Sequence, residues 1–239
     1  MKKMVKKFLR QAGVDVIRIT PRNSDPARLQ MLLKYHGIDL ILDIGANVGQ
    51  YALSLREHGY HGRIVSFEPL SSAYAELARR CVGDFGWEIA PRMAIGREQG
   101  LIEINIAGNS YSSSVLTMLD AHLDAAPRSQ YIGKEAVPMA TLDSVVPTFR
   151  KDAEAMFLKI DTQGYESAVL DGASMILERD TVGLQLELSL LPLYAGQASY
   201  LDLIQRLREL NFSLHAVLPG FTDPHTGRLL QMDGIFFRS

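Results

Sequence analysis

The chain has 239 residues, 47% of them hydrophobic and 22% charged, the balance of a folded globular protein with room for one large α/β domain or two small ones. A net charge of -2 gives no electrostatic case for nucleic-acid binding, and the single cysteine, Cys81, excludes an internal disulfide and a cysteine-based metal cluster. No apolar run is long enough to span a membrane, and the basic start lacks the continuous apolar core of a signal peptide, so a reducing cytoplasm is the expected location.

Residues 1–10 form a basic amphipathic pattern. Met4, Val5, Phe8 and Leu9 share one helical face, and Lys2, Lys3, Lys6, Lys7 and Arg10 cover the rest. Such a helix suits peripheral contact with an anionic membrane, and equally packing on the domain or on a second subunit of a homo-oligomer. A short strand is expected over 14–19, then a helix opened by Asp25-Pro26 and running through Tyr35. The expected organisation is an N-terminal helical extension over 1–37 and one domain over 38–239.

Residues 40–44 are a short apolar run, suited to a strand buried on both faces. It ends in the tight turn Gly45-Ala46-Asn47-Val48-Gly49, and a helix with Val48, Ala52, Leu53 and Leu55 on its apolar face follows. A second buried strand over 63–67 ends at Glu68, 25 positions after Asp43. Glycines let a backbone approach a ligand closely, and an acid at the second strand's tip suits both hydroxyls of a nucleoside ribose. A dinucleotide turn would carry a second glycine where Asn47 stands. Asp43 beside the turn opposes a pyrophosphate and favours a cation. The stretch therefore points to S-adenosyl-L-methionine, a phosphate-free cationic adenosine, over NAD; an NAD-dependent oxidoreductase is the first alternative.

Ser71 or Ser72 is expected to cap a helix to about Arg80. A third strand is expected over 87–94, with Pro91 near an edge or bulge. Met93 and Ala94 at its end could flank a purine. Residues 101–106 alternate like an antiparallel strand, and a hydroxyl-rich loop follows over 108–114. That loop suits a hydroxylated acceptor and reads as well as a plain connection. Residues 116–131 carry no sharp signal beyond that of a lid; a short strand over 135–139 and a helical turn over 141–146 follow.

A strongly apolar strand over 155–160, interrupted by Lys159, ends in Asp161-Thr162-Gln163-Gly164, a second acid-plus-glycine strand tip. A helix is expected over 165–178 and a strand over 182–190. Glu187 inside that strand is costly unless paired or catalytic. Tyr200, Leu203, Ile204, Leu207 and Leu210 mark an amphipathic helix. Residues 212–218 and 234–238 read as a closing hairpin.

With these residues in place the chain resembles the FkbM-type methyltransferases over about residues 38–238. The resemblance rests on Leu42-Asp43-Ile44-Gly45-Ala46-Asn47-Val48-Gly49-Gln50-Tyr51, Phe67-Glu68-Pro69, Ser112-Ser113-Ser114 and Thr141-Leu142-Asp143. It rests most on Leu158-Lys159-Ile160-Asp161-Thr162-Gln163-Gly164-Tyr165-Glu166. It implies a Rossmann-like α/β fold, a mainly parallel seven-stranded sheet with an antiparallel last strand and helices on both faces. The expected donor contacts are Asp43, Gly45, Asn47, Gly49, Gln50, Tyr51, Glu68, Pro69, Met93, Ala94 and Asp161. The resemblance also implies O-methylation of a hydroxyl, often on a sugar of a glycan, a lipid-linked saccharide or a natural product. A scaffold that binds the donor without catalysis is the other alternative.

An aliphatic hydroxyl has a pKa near that of water, about 15.7. A positioned base typically contributes about 10²–10⁴-fold, whereas orienting two reactants supplies roughly 7–11 kcal/mol. Candidates for the acceptor end are Asp161, then Glu187, then His215. A divalent cation between Asp161 and Glu187 would lower the alcohol's pKa, but no third ligand is evident and none is expected. Lys159 and Glu166 read as structural.

Overall fold

The computed structural model describes residues 10–11, 13–14 and 18–238. The basic helix expected over 1–10 lies, Arg10 apart, outside the described residues. So does part of the strand expected over 14–19, where Val14, Arg18 and Ile19 are exposed and in no strand. Helix α1 (Asp25–Tyr35) begins as expected: Ser24 Oγ accepts from the Ala27 amide, Pro26 stands in the first turn, and Leu29 and Leu33 are buried.

In chain order there follow β1 (Leu40–Ile44), α2 (Gln50–Glu57), β2 (Arg63–Phe67), α3 (Ser71–Cys81), β3 (Trp87–Ile89), β4 (Ala94–Ile95) and β5 (Gly100–Ala107). Then come α4 (Asp120–Ala125), β6 (Tyr131–Ala140), α5 (Leu142–Val145), β7 (Met156–Ile160), α6 (Glu166–Asp171) and α7 (Ser174–Arg179). The chain closes with β8 (Thr181–Ser189), α8 (Tyr200–Glu209), β9 (Phe212–Pro219) and β10 (Gln231–Arg238).

Seven strands form the main sheet in the order β3-β2-β1-β7-β8-β10-β9. The first five run parallel, and β10 is antiparallel to both β8 and β9. The order reverses between β1 and β7, so the tips of these strands face the crevice where ligands bind in such sheets. Alternation along β1 and β7 feeds two cores. Leu40, Leu42 and Ile44 pack with Leu158 and Ile160 on one face, and Ile41 packs with Phe157, Leu29 and Leu33 on the other. A second sheet, β4-β6-β5, stands over the tips.

Three sequence expectations change. The strand expected over 87–94 divides at Pro91: β3 stays on the main sheet's edge and β4 joins the second sheet, because proline cannot donate to the ladder. The helix expected over 165–178 is two short helices, broken at Gly172, where a Cβ would collide with the Gly96 carbonyl. The start of α3 is not capped by a serine side chain. Glu68 Oε1 accepts from the Leu70 amide at 2.9 Å, and Glu135 Oε2 from the Ser71 amide at 3.2 Å. Among the described residues no helix is long and apolar enough to cross a membrane.

Candidate active site

A cavity of about 370 Å³ lies over the tips of β1, β2, β7 and β8, within the range of ligand pockets. Its floor comes from Gly45, Asn47, Gln50, Glu68 and Asp161, and its roof from residues 109–115, His122 and Phe221.

The β1 turn is fixed by backbone geometry. Gly45 has φ +78° and Asn47 φ +48°. A Cβ at Gly45 would strike the Asp161 carbonyl oxygen, so glycine alone lets the β1 and β7 tips meet. The Asn47 amide donates to Glu68 Oε2 at 2.8 Å. With the Leu70 bond, each Glu68 oxygen holds one backbone N–H and keeps a lone pair for a hydroxyl donor. Burial pushes the Glu68 carboxyl up to about 7, against the pull of those two amides. Pro69, Met93 and Ala94 border the same cavity. These groups fit an adenosine: a carboxylate for the ribose diol, apolar walls for a ring, and a turn that a side chain would block.

Three of the expected donor contacts lie elsewhere. Asp43 is fully buried beneath the turn. Register pairs it with Ser66 on β2 and Lys159 on β7; Lys159 Nζ is 3.2 Å from Asp43 Oδ1 and donates to the Gly45 carbonyl at 3.2 Å. Burial raises the Asp43 carboxyl and Lys159 opposes it, so the cation-favouring charge read into Asp43 is matched within the protein. Gly49 starts α2 with φ +86° against Trp87 and Leu77. Tyr51 turns away, donating to Gln185 Oε1 at 3.1 Å.

At the tips of β7 and β8, Asp161 and Glu187 come together as expected. Gln163, at φ +55°, bridges them: its amide nitrogen is 2.8 Å from Asp161 Oδ1 and 2.9 Å from Glu187 Oε2. Tyr194 Oη donates to Gln163 Oε1 at 2.7 Å and so fixes which way the amide points. Glu187 is held well above the usual carboxylate range, by burial first and then by Asp161, Glu166 and Asp233. Each of these causes favours its neutral carboxyl over the carboxylate. Glu166 accepts from the Thr162 and Gly164 amides and holds the turn. Lys159 Nζ lies 3.4 Å from Asp161 Oδ2, joining the two acid tips below.

His215 does not belong to this group. It is exposed on β9, with its ring against His36 and Phe237, and does not border the cavity. Asn109 lies in the hydroxyl-rich loop that the sequence marked, whereas His122, Tyr194 and Ser129 had no sequence signal. His122 sits on the six-residue α4, is 2% exposed and borders the cavity; burial lowers its imidazole to about 4. Among the described residues no three His, Cys, Asp or Glu side chains are grouped to hold a metal ion.

No curated protein matches the chain. Among solved structures the chain is similar to an O-methyltransferase from Bacillus cereus in complex with SAH (14% identity, 99% of this chain and 90% of that one, TM-score 0.48). It is also similar to the O-methyltransferase TomG from Streptomyces achromogenes in complex with SAM (12%, 99% and 89%, 0.46). A third is an rRNA methylase from Streptococcus thermophilus (9%, 93% and 99%, 0.47). The methyltransferase FkbM domain matches residues 43–214. The chain therefore belongs to the FkbM methyltransferase family and is an S-adenosylmethionine-dependent methyltransferase.

Proposed function

We propose that the protein is an O-methyltransferase whose acceptor is a hydroxyl of a saccharide, free or within a glycan, glycolipid or natural product. The observation that carries this is the roof. Asn109, Ser110, Ser112, Ser113 and Ser114 line the cavity opposite the donor turn, a surface of amide and hydroxyl groups with no basic side chain among them. Such a surface exchanges hydrogen bonds with a polyol, and a net charge of -2 disfavours a nucleic-acid acceptor.

S-adenosylmethionine, when bound, supplies a methyl group on a sulfonium that leaves as a neutral thioether. Glu68 would hold the ribose diol, and Met93 and Ala94 would flank the adenine. Asp161 and Glu187 would face the cationic methionine end, where a positive charge favours their ionised forms. Gln163, held by Tyr194, keeps the two carboxylates apart and aimed into the cavity. The roof would orient the acceptor oxygen for in-line attack, and orientation is the larger part of the acceleration, roughly 7–11 kcal/mol against about 10²–10⁴-fold for a base.

Two measurements test the reading. Calorimetry with S-adenosylmethionine and with NAD should give binding of the first alone. Tritium-labelled methyl groups should move from S-adenosylmethionine into carbohydrate or glycolipid fractions of cell extracts, and the product should carry a methyl ether. Labelling of RNA or protein alone would overturn the acceptor assignment.

A further inference from the structure

The roof holds a polar cluster whose histidine the methyl-transfer reading leaves unused, and the inference from it rests on that reading. Asn109 Nδ2 donates to Ser112 Oγ at 3.0 Å and to Ser129 Oγ at 2.9 Å. The two hydroxyl oxygens are 3.2 Å apart, and His122 Nε2 is 3.2 Å from each. His122 Nδ1 is buried with no protein partner.

Hydrogen-bond arithmetic tells which tautomer leaves Ser112 able to accept. Asn109 places both amide hydrogens on the serine oxygens, which leaves two hydroxyl protons to accommodate. With a proton on His122 Nε2, five hydrogens compete for the four lone pairs of the two serines unless the Ser112 hydroxyl turns out into the cavity, where it would be a donor with no lone pair to accept from a substrate. With Nε2 bare, every hydrogen has an acceptor and one lone pair is left over. Ser129 is fully buried and away from the cavity, whereas Ser112 borders it, so the spare acceptor position opens at Ser112 Oγ. The neighbouring hydroxyls are engaged: Ser113 donates to the Ser110 carbonyl at 3.1 Å and Ser114 to that of Gln163 at 2.7 Å.

We propose that Ser112, Ser129 and His122 form a proton relay for the acceptor, with Ser112 as the catalytic residue that touches the hydroxyl and Ser129 and His122 as the positioning residues behind it. The acceptor oxygen bonds to the methyl carbon while the methyl–sulfur bond breaks with its electron pair left on sulfur. The acceptor's O–H proton passes to Ser112 Oγ, the proton of Ser112 passes to Ser129 Oγ, that of Ser129 passes to His122 Nε2, and the imidazolium later gives its proton to water. Burial holds His122 neutral before the reaction. Its weak basicity suffices, because an ether oxygen that still carries its proton is far more acidic than an imidazolium. The unpartnered Nδ1 is destabilising in a packed interior. Phenylalanine would fill the place without that burden, since the rings of Tyr194 and Phe221 already pack there.

Imidazole nitrogen NMR of the protein saturated with S-adenosylhomocysteine at pH 7 should find His122 protonated on Nδ1 and bare on Nε2; a proton on Nε2 would overturn the relay. In tritium transfer from S-adenosylmethionine to a carbohydrate fraction, His122→Phe and Ser112→Ala should each lower turnover by about 10²–10⁴-fold. Their affinities for S-adenosylmethionine by calorimetry should stay within about twofold, and the double variant should be no worse than either single one, as for groups acting as a unit. Wild-type turnover in either single variant would overturn the proposal. If the wild-type protein binds S-adenosylmethionine but labels no fraction, the saccharide reading fails by itself, and the tautomer still decides the relay.

Discussion

The floor and the roof of the cavity are built by different means. The floor is strand-tip backbone: a glycine turn with one permitted residue at its closest point, and a carboxylate clamped by two amides. The roof is side chain on loop and short helix: hydroxyls, an amide and an imidazole brought together from residues 109, 112, 122 and 129. A site that must hold one fixed molecule is well served by rigid backbone, whereas a site for an acceptor is altered by exchanging loop side chains while the sheet stays intact.

Substitutions in the two halves should therefore fail in different ways. The largest effect on donor binding is expected for Gly45→Ala. A methyl group there meets the Asp161 carbonyl at a left-handed φ, which alone costs about 1–2 kcal/mol. S-adenosylmethionine affinity by calorimetry should fall at least about 100-fold, about 2.8 kcal/mol; near-normal affinity would show that the turn does not hold the donor. Asp43→Asn comes next and separates support from contact. Removing one partner of a buried ion pair costs about 3–5 kcal/mol, read by denaturant unfolding, while donor affinity of the folded protein should change less than about fivefold.

Glu68→Gln should leave the fold intact and weaken donor binding by about 1.5–3 kcal/mol, the worth of hydrogen bonds to a charged group. The wild-type protein should also lose donor affinity as pH falls through about 7, because the cation prefers the ionised carboxylate, and the glutamine variant should not. Stability runs the other way. The raised carboxyl favours the fold below its ordinary value of 4.5, and that contribution is lost as pH rises to about 7. The smallest effect belongs to His215→Ala, outside both halves: donor affinity and turnover should stay within about twofold.

The floor was readable in the sequence because its constraints fall on residue types. Gly45 marks a close approach, Glu68 a strand tip, and Asp161 a second tip of the same kind. Asp43 was misread as a donor contact, although strand register held its true partner. It stands one position before the end of β1, and Lys159 one before the end of β7, so parallel pairing sets them side by side. The roof left only the hydroxyl-rich loop over 108–114, and none of the contacts that assemble it. Asn109 reaches Ser129 across 20 positions, and Tyr194 reaches Gln163 across 31, with no periodicity or turn chemistry linking them. His215 misled for a related reason: an imidazole between apolar residues looks alike on an edge strand and inside a pocket, and only the order of strands tells the two apart.

Strand β10 lies between β8 and β9, both of which precede it in the chain. As the polypeptide leaves the ribosome, β9 has no neighbour to join until residues 231–238 have also emerged, and the flank of β8 beside Glu187 stays unzipped meanwhile. The wall that carries the acid cluster is thus finished last, and a nascent chain stalled before residue 231 would expose two adhesive strand margins to whatever chaperone or sibling chain is near.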